Sequence, residues 1–174
     1  MSATPTWRVR RCEDRDVAAV HALIHELAGY ERAPDAVEAT ADDLRRALSA
    51  DPPLLHGLVA EVDDPADGAA TIAGMALWFV SYSTWRGRHG IWLEDLFVRP
   101  AARGLGLGRA LLSALAAETV ARGYSRLEWN VLDWNAPALG FYRALGAEPL
   151  SDWTVHRVTG EALQALAEQD VPRS

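Results

Sequence analysis

A single cysteine, Cys12, stands in 174 residues, which rules out an internal disulfide and any cysteine metal cluster. Long apolar runs are missing as well. None approaches the 18 residues that a membrane span requires, and no charged-then-apolar leader opens the chain. The expectation is a cytoplasmic protein. The five histidines show no ligand spacing: His21 and His25 lie four apart with no third ligand in view, so no metal is expected. Basic surplus is also absent. Seventeen Lys and Arg face 24 Asp and Glu, giving a net charge of −7 and a pI of about 5.2. That balance speaks against nucleic acid as a partner and is compatible with a cationic ligand. The hydrophobic share of 49% beside 24% charged residues is ordinary for a soluble globular protein. The length suits one domain, 1–174, and no repeat, low-complexity run or linker interrupts it.

What is present is concentrated between Glu94 and Arg109. Glu94 and Asp95 precede an apolar strand, Leu96-Phe97-Val98, which runs into Pro100. Arg103-Gly104-Leu105-Gly106-Leu107-Gly108-Arg109 then opens an apolar helical run from Ala110 to Val120. Glycines remove side chains, so several backbone N–H groups can converge on one anion at a helix N-terminus. Two flanking arginines suit a diphosphate. A nucleotide-triphosphate loop would close on Gly-Lys-Ser/Thr, whereas this one closes on Gly108-Arg109-Ala110. A dinucleotide loop would need a third glycine where Arg109 stands, although Glu128 falls near the position of its acid. A bare helix-capping turn would not explain the arginines and the carboxylates. A side chain placed at Gly106 is expected to intrude on the approach of the diphosphate.

Periodicity gives the remaining elements. Trp7 to Arg11 alternates like a strand. Glu13-Asp14 then leads a helix whose Val17, Val20, Leu23, Ile24 and Leu27 share one face. Thr40-x-x-Asp43 resembles a cap that starts a second helix, ending before Asp51-Pro52-Pro53. Leu55 to Val62 and Thr71 to Tyr82 read as strands around an Asp/Pro/Gly turn, Asp63 to Gly68. A loop, Ser83 to Gly90, leads to a strand from Ile91 to Val98. Helix Leu107 to Arg122, strand Arg126 to Val131, helix Ala136 to Leu145, strand Trp153 to Val158 and a helix from about Gly160 to Gln169 complete the chain. Antiparallel strands followed by strand–helix–strand crossovers imply an α/β fold, a mixed and mostly antiparallel sheet flanked by helices.

The loop Arg-Gly-x-Gly-x-Gly resembles the pyrophosphate loop of the GNAT superfamily of acetyl-CoA-dependent N-acetyltransferases. The resemblance extends in order through Trp85-Arg86-Gly87, Leu93 to Val98, Val131 to Ala138 and Phe141 to Ala147. With Glu26-Leu27-Ala28-Gly29-Tyr30-Glu31 near the N-terminus, the pattern is similar to the diamine branch of spermidine/spermine and thialysine acetyltransferases. It spans about residues 7 to 168. It implies two parallel central strands, Ile91–Val98 and Arg126–Val131, that splay apart around acetyl-CoA, and it implies a homodimer.

Acetyl transfer from a thioester to an amine needs a neutral amine, a stabilised oxyanion and a protonated leaving thiolate. The resemblance assigns Glu94 as base, through a water, and Tyr142 as the acid beside the sulfur. A phenol with a pKa near 10 is a competent donor to a thiolate. Strand alternation would send Glu94 and Asp95 to opposite faces unless a bulge intervenes, so Asp95 is either a pocket residue or a structural one. Asn135 should cap its helix. By resemblance it also touches the pantetheine arm, with Pro137, Ala138 and Arg143 nearby, while the backbone of Leu96, Phe97 and Val98 pairs with that arm like an added strand. Tyr30, Glu31, Trp85 and Glu128 are the family's positions around the acceptor, a cage of aromatic faces and carboxylates for an ammonium. Ser83 departs from the polyamine enzymes, which carry an acid there, and this favours a smaller amine. Cys12 is far from the loop in sequence, so direct transfer is expected rather than an acetyl-enzyme. Two other readings remain. The chain acetylates another amine, such as an antibiotic or a protein N-terminus, or it is a non-catalytic acyl-CoA sensor.

Overall fold

The computed structural model describes residues 5–64 and 68–168, in two compact units, Met1–Asn130 and Val131–Ser174. The first unit is built on a five-stranded sheet in the order β1-β2-β3-β4-β5, namely Trp7–Arg11, His56–Asp63, Ala70–Ser83, Arg88–Val98 and Leu127–Trp129. The first four strands are antiparallel neighbours, and β4 and β5 run parallel. The mixed, mostly antiparallel sheet is thus observed. The 83–90 loop is shorter than the sequence suggests: β3 and β4 pair down to Ser83 and Arg88, leaving a four-residue turn.

One face of the sheet is covered by α1 (Val17–Tyr30) and α2 (Ala41–Ser49). Val17, Val20 and Leu23 of α1 and Leu44 of α2 form a core with Val59, Met75, Leu77 and Phe97. The helical period seen in the sequence is the stripe that packs. Thr40 caps α2 as expected: its Oγ1 accepts from the Asp43 N–H at 3.1 Å, and the Asp43 carboxylate accepts from the Thr40 N–H at 2.8 Å. Ahead of α1, Asp16 accepts the Glu13 N–H at 2.8 Å and two bonds from Arg10 at 2.6 and 2.8 Å. Arg10 also reaches Glu61, so one guanidinium ties β1, β2 and the helix start together. The other face carries α3 (Leu107–Ala121), whose Leu107, Leu111, Leu112 and Leu115 are buried. Arg122, just past its end, lies 5.6 Å over the ring of buried Trp78, the neighbour of Leu77 on β3 that points to this side.

In the second unit, α4 (Ala136–Ala144) and α5 (Gly160–Ala167) are helices. The strand expected over Trp153–Val158 is not formed, and this is a correction. Trp153 and Val155 alternate as a strand would, but periodicity reports only a possible face, and these residues are exposed with no ladder partner. Asp63 to Gly68 and the helix end at Gln169 fall partly outside the described residues, at 65–67 and at 169.

Candidate active site

The site is organised by an irregularity in β4. Trp78 pairs with Leu93 and Leu77 with Asp95, so Glu94 is an extra residue opposite no β3 partner. A bulge of this kind cancels one step of the alternation. Trp92 lies on the α1 side and Leu93 on the α3 side. Regular alternation would then send Asp95 to the α3 side, yet it sits opposite Leu77, on the α1 side. The bulge therefore brings Glu94 and Asp95 to one face. Glu31, at the C-terminal end of α1, joins them. Burial and the negative charges of Glu94 and Glu31 push the Asp95 carboxyl up to about 6. Burial also raises Glu31. Glu94 is exposed and accepts the Trp92 indole N–H at 3.0 Å.

The same irregularity ends β5. The parallel ladder runs Ile91↔Leu127, Trp92↔Glu128, Leu93↔Trp129 and stops one residue before the bulge. β5, Leu127–Trp129, is thus shorter than the expected Arg126–Val131. Beyond it, the backbone of β4 has an edge that β5 does not cover. The Arg99 N–H donates to Ala73 O at 2.9 Å, extending the β3–β4 ladder. Counting back in twos, Phe97 and Asp95 aim their backbone groups at β3, while Leu96 and Val98 aim theirs at the opposite edge. Phe97 itself is buried in the core under α1. An added strand-like arm would therefore meet Leu96 and Val98, with Phe97 supplying the wall behind.

After β4 the chain turns through Pro100–Ala102 into the glycine loop. Gly104 and Gly106 have φ of +85° and +90°, which glycine adopts without strain. Gly106 caps α3, so the N–H groups of the first helical turn, from Leu107, Gly108 and Arg109, lack helical acceptors and can face an anion. Leu105 between the two glycines is partly buried. Arg109 is exposed on that first turn. Arg103, at the start of the loop, has contacts within the fold. Its Nε donates to Val98 O at 3.1 Å and its guanidinium lies 5.1 Å over the Tyr30 ring and 6.0 Å from Phe97. A Cβ at Gly106 would come within 3.9 Å of Trp7, an ordinary van der Waals contact. The donor set, a left-handed loop at a helix start beside the β4 edge past the end of the β5 ladder, fits a pantetheine–pyrophosphate group.

Other acceptor-side residues are placed variously. Tyr30 ends α1 next to Glu31, under Arg103. Glu128 sits opposite Trp92 and pairs with Arg126 at 2.7 Å, so its charge is already engaged. Trp85 is 90% exposed at the tip of the β3–β4 hairpin, away from the carboxylates. Ser83 is buried and accepts the Arg86 N–H at 3.3 Å, making it a turn residue. It lies five residues along β3 from Trp78, about 16 Å from the bulge. Burial pushes the Cys12 thiol up to about 11, which leaves it a poor nucleophile.

In the second unit, Asn135 caps α4: its Oδ1 accepts the Ala138 N–H at 3.3 Å, and Pro137 occupies the first turn. The helix closes on left-handed Gly146, whose N–H donates to Arg143 O at 3.0 Å. Tyr142 lies on this helix with its ring 5.4 Å from that of Phe141. Sequence reasoning missed Trp92, the partner of Glu94. A period of two along β4 places these two on one side and was the available signal.

The family model described as "Acetyltransferase (GNAT) family" matches residues 19–147. A thialysine N-epsilon-acetyltransferase of Bos taurus is 38% identical over 164 residues, covering 91% of this chain and 96% of that protein. An L-ornithine N5-acetyltransferase of Arabidopsis thaliana is 29% identical, covering 91% and 87%. Among solved structures, an integron cassette protein from the mobile metagenome of V. cholerae superimposes with a TM-score of 0.73 at 25% identity, covering 97% and 99%. With the family model over residues 19–147 and relatives matched over nearly their whole length, the chain belongs to the GNAT family of acetyltransferases, as an N-acetyltransferase similar to those of the thialysine branch.

Proposed function

We propose that the protein transfers acetyl from acetyl-CoA directly to the side-chain amine of a small cationic acceptor, a lysine-like amino acid or a short diamine. One observation carries this reading: the bulge gathers Glu94 and Asp95 beside Glu31, next to the β4 edge that β5 leaves unpaired. The substrates named for the relatives, thialysine and L-ornithine, are of this class.

Acetyl-CoA supplies the acetyl thioester and a leaving thiolate. The N–H groups that open α3 and the loop Arg103 to Arg109 hold its diphosphate, and the β4-edge groups of Leu96 and Val98 hold its arm. At pH 7 only about one amine in a thousand is neutral when its pKa is near 10.4, a deficit of roughly 4–5 kcal/mol. The carboxylates attract the ammonium, and the bulge pair lowers that deficit by accepting its proton. Backbone N–H groups of β4 support the oxyanion. The Tyr142 phenol holds a proton for the thiolate. The high pKa of Cys12 disfavours an acetyl-enzyme. Among the described residues no helix is long and apolar enough to cross a membrane. A cytoplasmic location is our default reading, and the resemblance implies a homodimer.

The test is kcat/KM across thialysine, ornithine, short diamines, spermine, an aminoglycoside and a peptide N-terminus. A side-chain amine of an amino acid or short diamine should lead. A leading aminoglycoside or peptide would transfer the reading to those acceptors, and binding of acetyl-CoA without turnover of any amine would mark a sensor.

A further inference from the structure

We infer that the two carboxylates of the bulge divide the work: Asp95 receives the acceptor's proton, and Glu94, fixed by Trp92, anchors its positive charge. The inference rests on the proposed amine acetylation and goes beyond it by assigning the base. Glu94 is the exposed member of the pair, and its oxygen is committed to the Trp92 indole N–H at 3.0 Å. That bond holds the carboxylate's position, which suits an electrostatic anchor. Asp95 is on the same face only because the bulge cancels one alternation step. It is flanked by Leu77 from β3 and by core Phe97, both uncharged, and the charged groups that bear on it are Glu94 of its own strand and Glu31 after α1.

The step is a simple exchange. One N–H bond of the ammonium breaks, its proton forms an O–H bond on the Asp95 carboxylate, and the electron pair stays on nitrogen as the lone pair of a neutral amine. A carboxylate surrounded by apolar walls and like charges takes a proton more readily than one in water. The elevated value of Asp95, about 6, agrees with this assignment. Proton affinity nearer that of the amine makes the transfer less uphill.

The experiment is the pH profile of kcat/KM with a short amine for the wild type, Asp95→Asn, Glu94→Gln and Glu31→Gln. Acetyl-CoA affinity, measured by calorimetry, checks the fold of each variant. The wild type should show an acid limb near pH 6. Asp95→Asn should lose on the order of a hundredfold or more and lose that limb, and Asp95→Glu should restore part of the rate. Glu94→Gln should mainly raise the acceptor KM and keep a limb, moved to lower pH as a like charge is removed. Glu31→Gln should move it the same way. Carboxyl carbon NMR of the whole wild-type chain supplies a readout apart from turnover, with Asp95 titrating near 6. The division of labour is overturned if Asp95→Asn keeps the limb, if Glu94→Gln alone abolishes it, or if Asp95 titrates in the ordinary carboxylate range while amines are acetylated normally. Failure of wild type to acetylate any amine would overturn this assignment and the proposed function together.

Discussion

Asp95 costs the fold something. A carboxyl whose folded pKa exceeds its unfolded value binds a proton in the native state across a window where the unfolded chain does not, here about pH 4 to 6. Its contribution to stability is therefore lost as pH rises through that window. Asp95→Asn should raise the melting temperature at pH 7, by an amount corresponding to no more than about 2–3 kcal/mol, and the gain should vanish near pH 4. Equal gains at both pH values would refute the electrostatic origin. Arg10, Asp16 and Glu61 have the opposite sign. Their carboxylates sit below the usual range because Arg10 bonds them, so their stabilisation is present at neutral pH and lost on acidification. The acid role proposed for the Tyr142 hydroxyl is tested at the same scale. Tyr142→Phe should lower kcat by roughly tenfold to a thousandfold with acetyl-CoA affinity nearly unchanged, and wild-type kcat in that variant would leave the ring as packing alone.

At the scale of elements, the bulge and the glycine loop do different jobs on one strand. The loop is testable through its backbone. Gly104 and Gly106 both sit at positive φ, where another residue costs roughly 1–2 kcal/mol. An added Cβ meets no atom within 4 Å at Gly104 but comes within 3.9 Å of Trp7 at Gly106. Gly104→Ala should therefore weaken acetyl-CoA binding severalfold through conformation alone, and Gly106→Val should weaken it more. Calorimetric affinities equal to wild type in both would remove the loop from the binding site. β1 matches its alternating run, Trp7–Arg11, and α2 begins at the cap Thr40 announces, because these signals are local. The bulge at Glu94 was not legible, since it is a relation between two strands and shows only when Trp78 and Leu77 are paired across. The expected strand at Trp153 failed for the converse reason, a local pattern without a partner.

For the whole molecule, a homodimer predicts a sedimenting species of twice 19.0 kDa at micromolar concentration, whereas a monomer there would contradict it. The 17 basic residues are all arginine, so the protein offers no lysine side chain as a competing acceptor. Acetyl transfer can therefore be followed cleanly. Acetyl-CoA labelled in its acetyl group, incubated with the enzyme and thialysine, should release one thiol for each label found on the side-chain nitrogen. Thiol release without labelled amine, or no release from folded protein that binds acetyl-CoA, would contradict an acetyl-CoA-dependent transfer to a small side-chain amine.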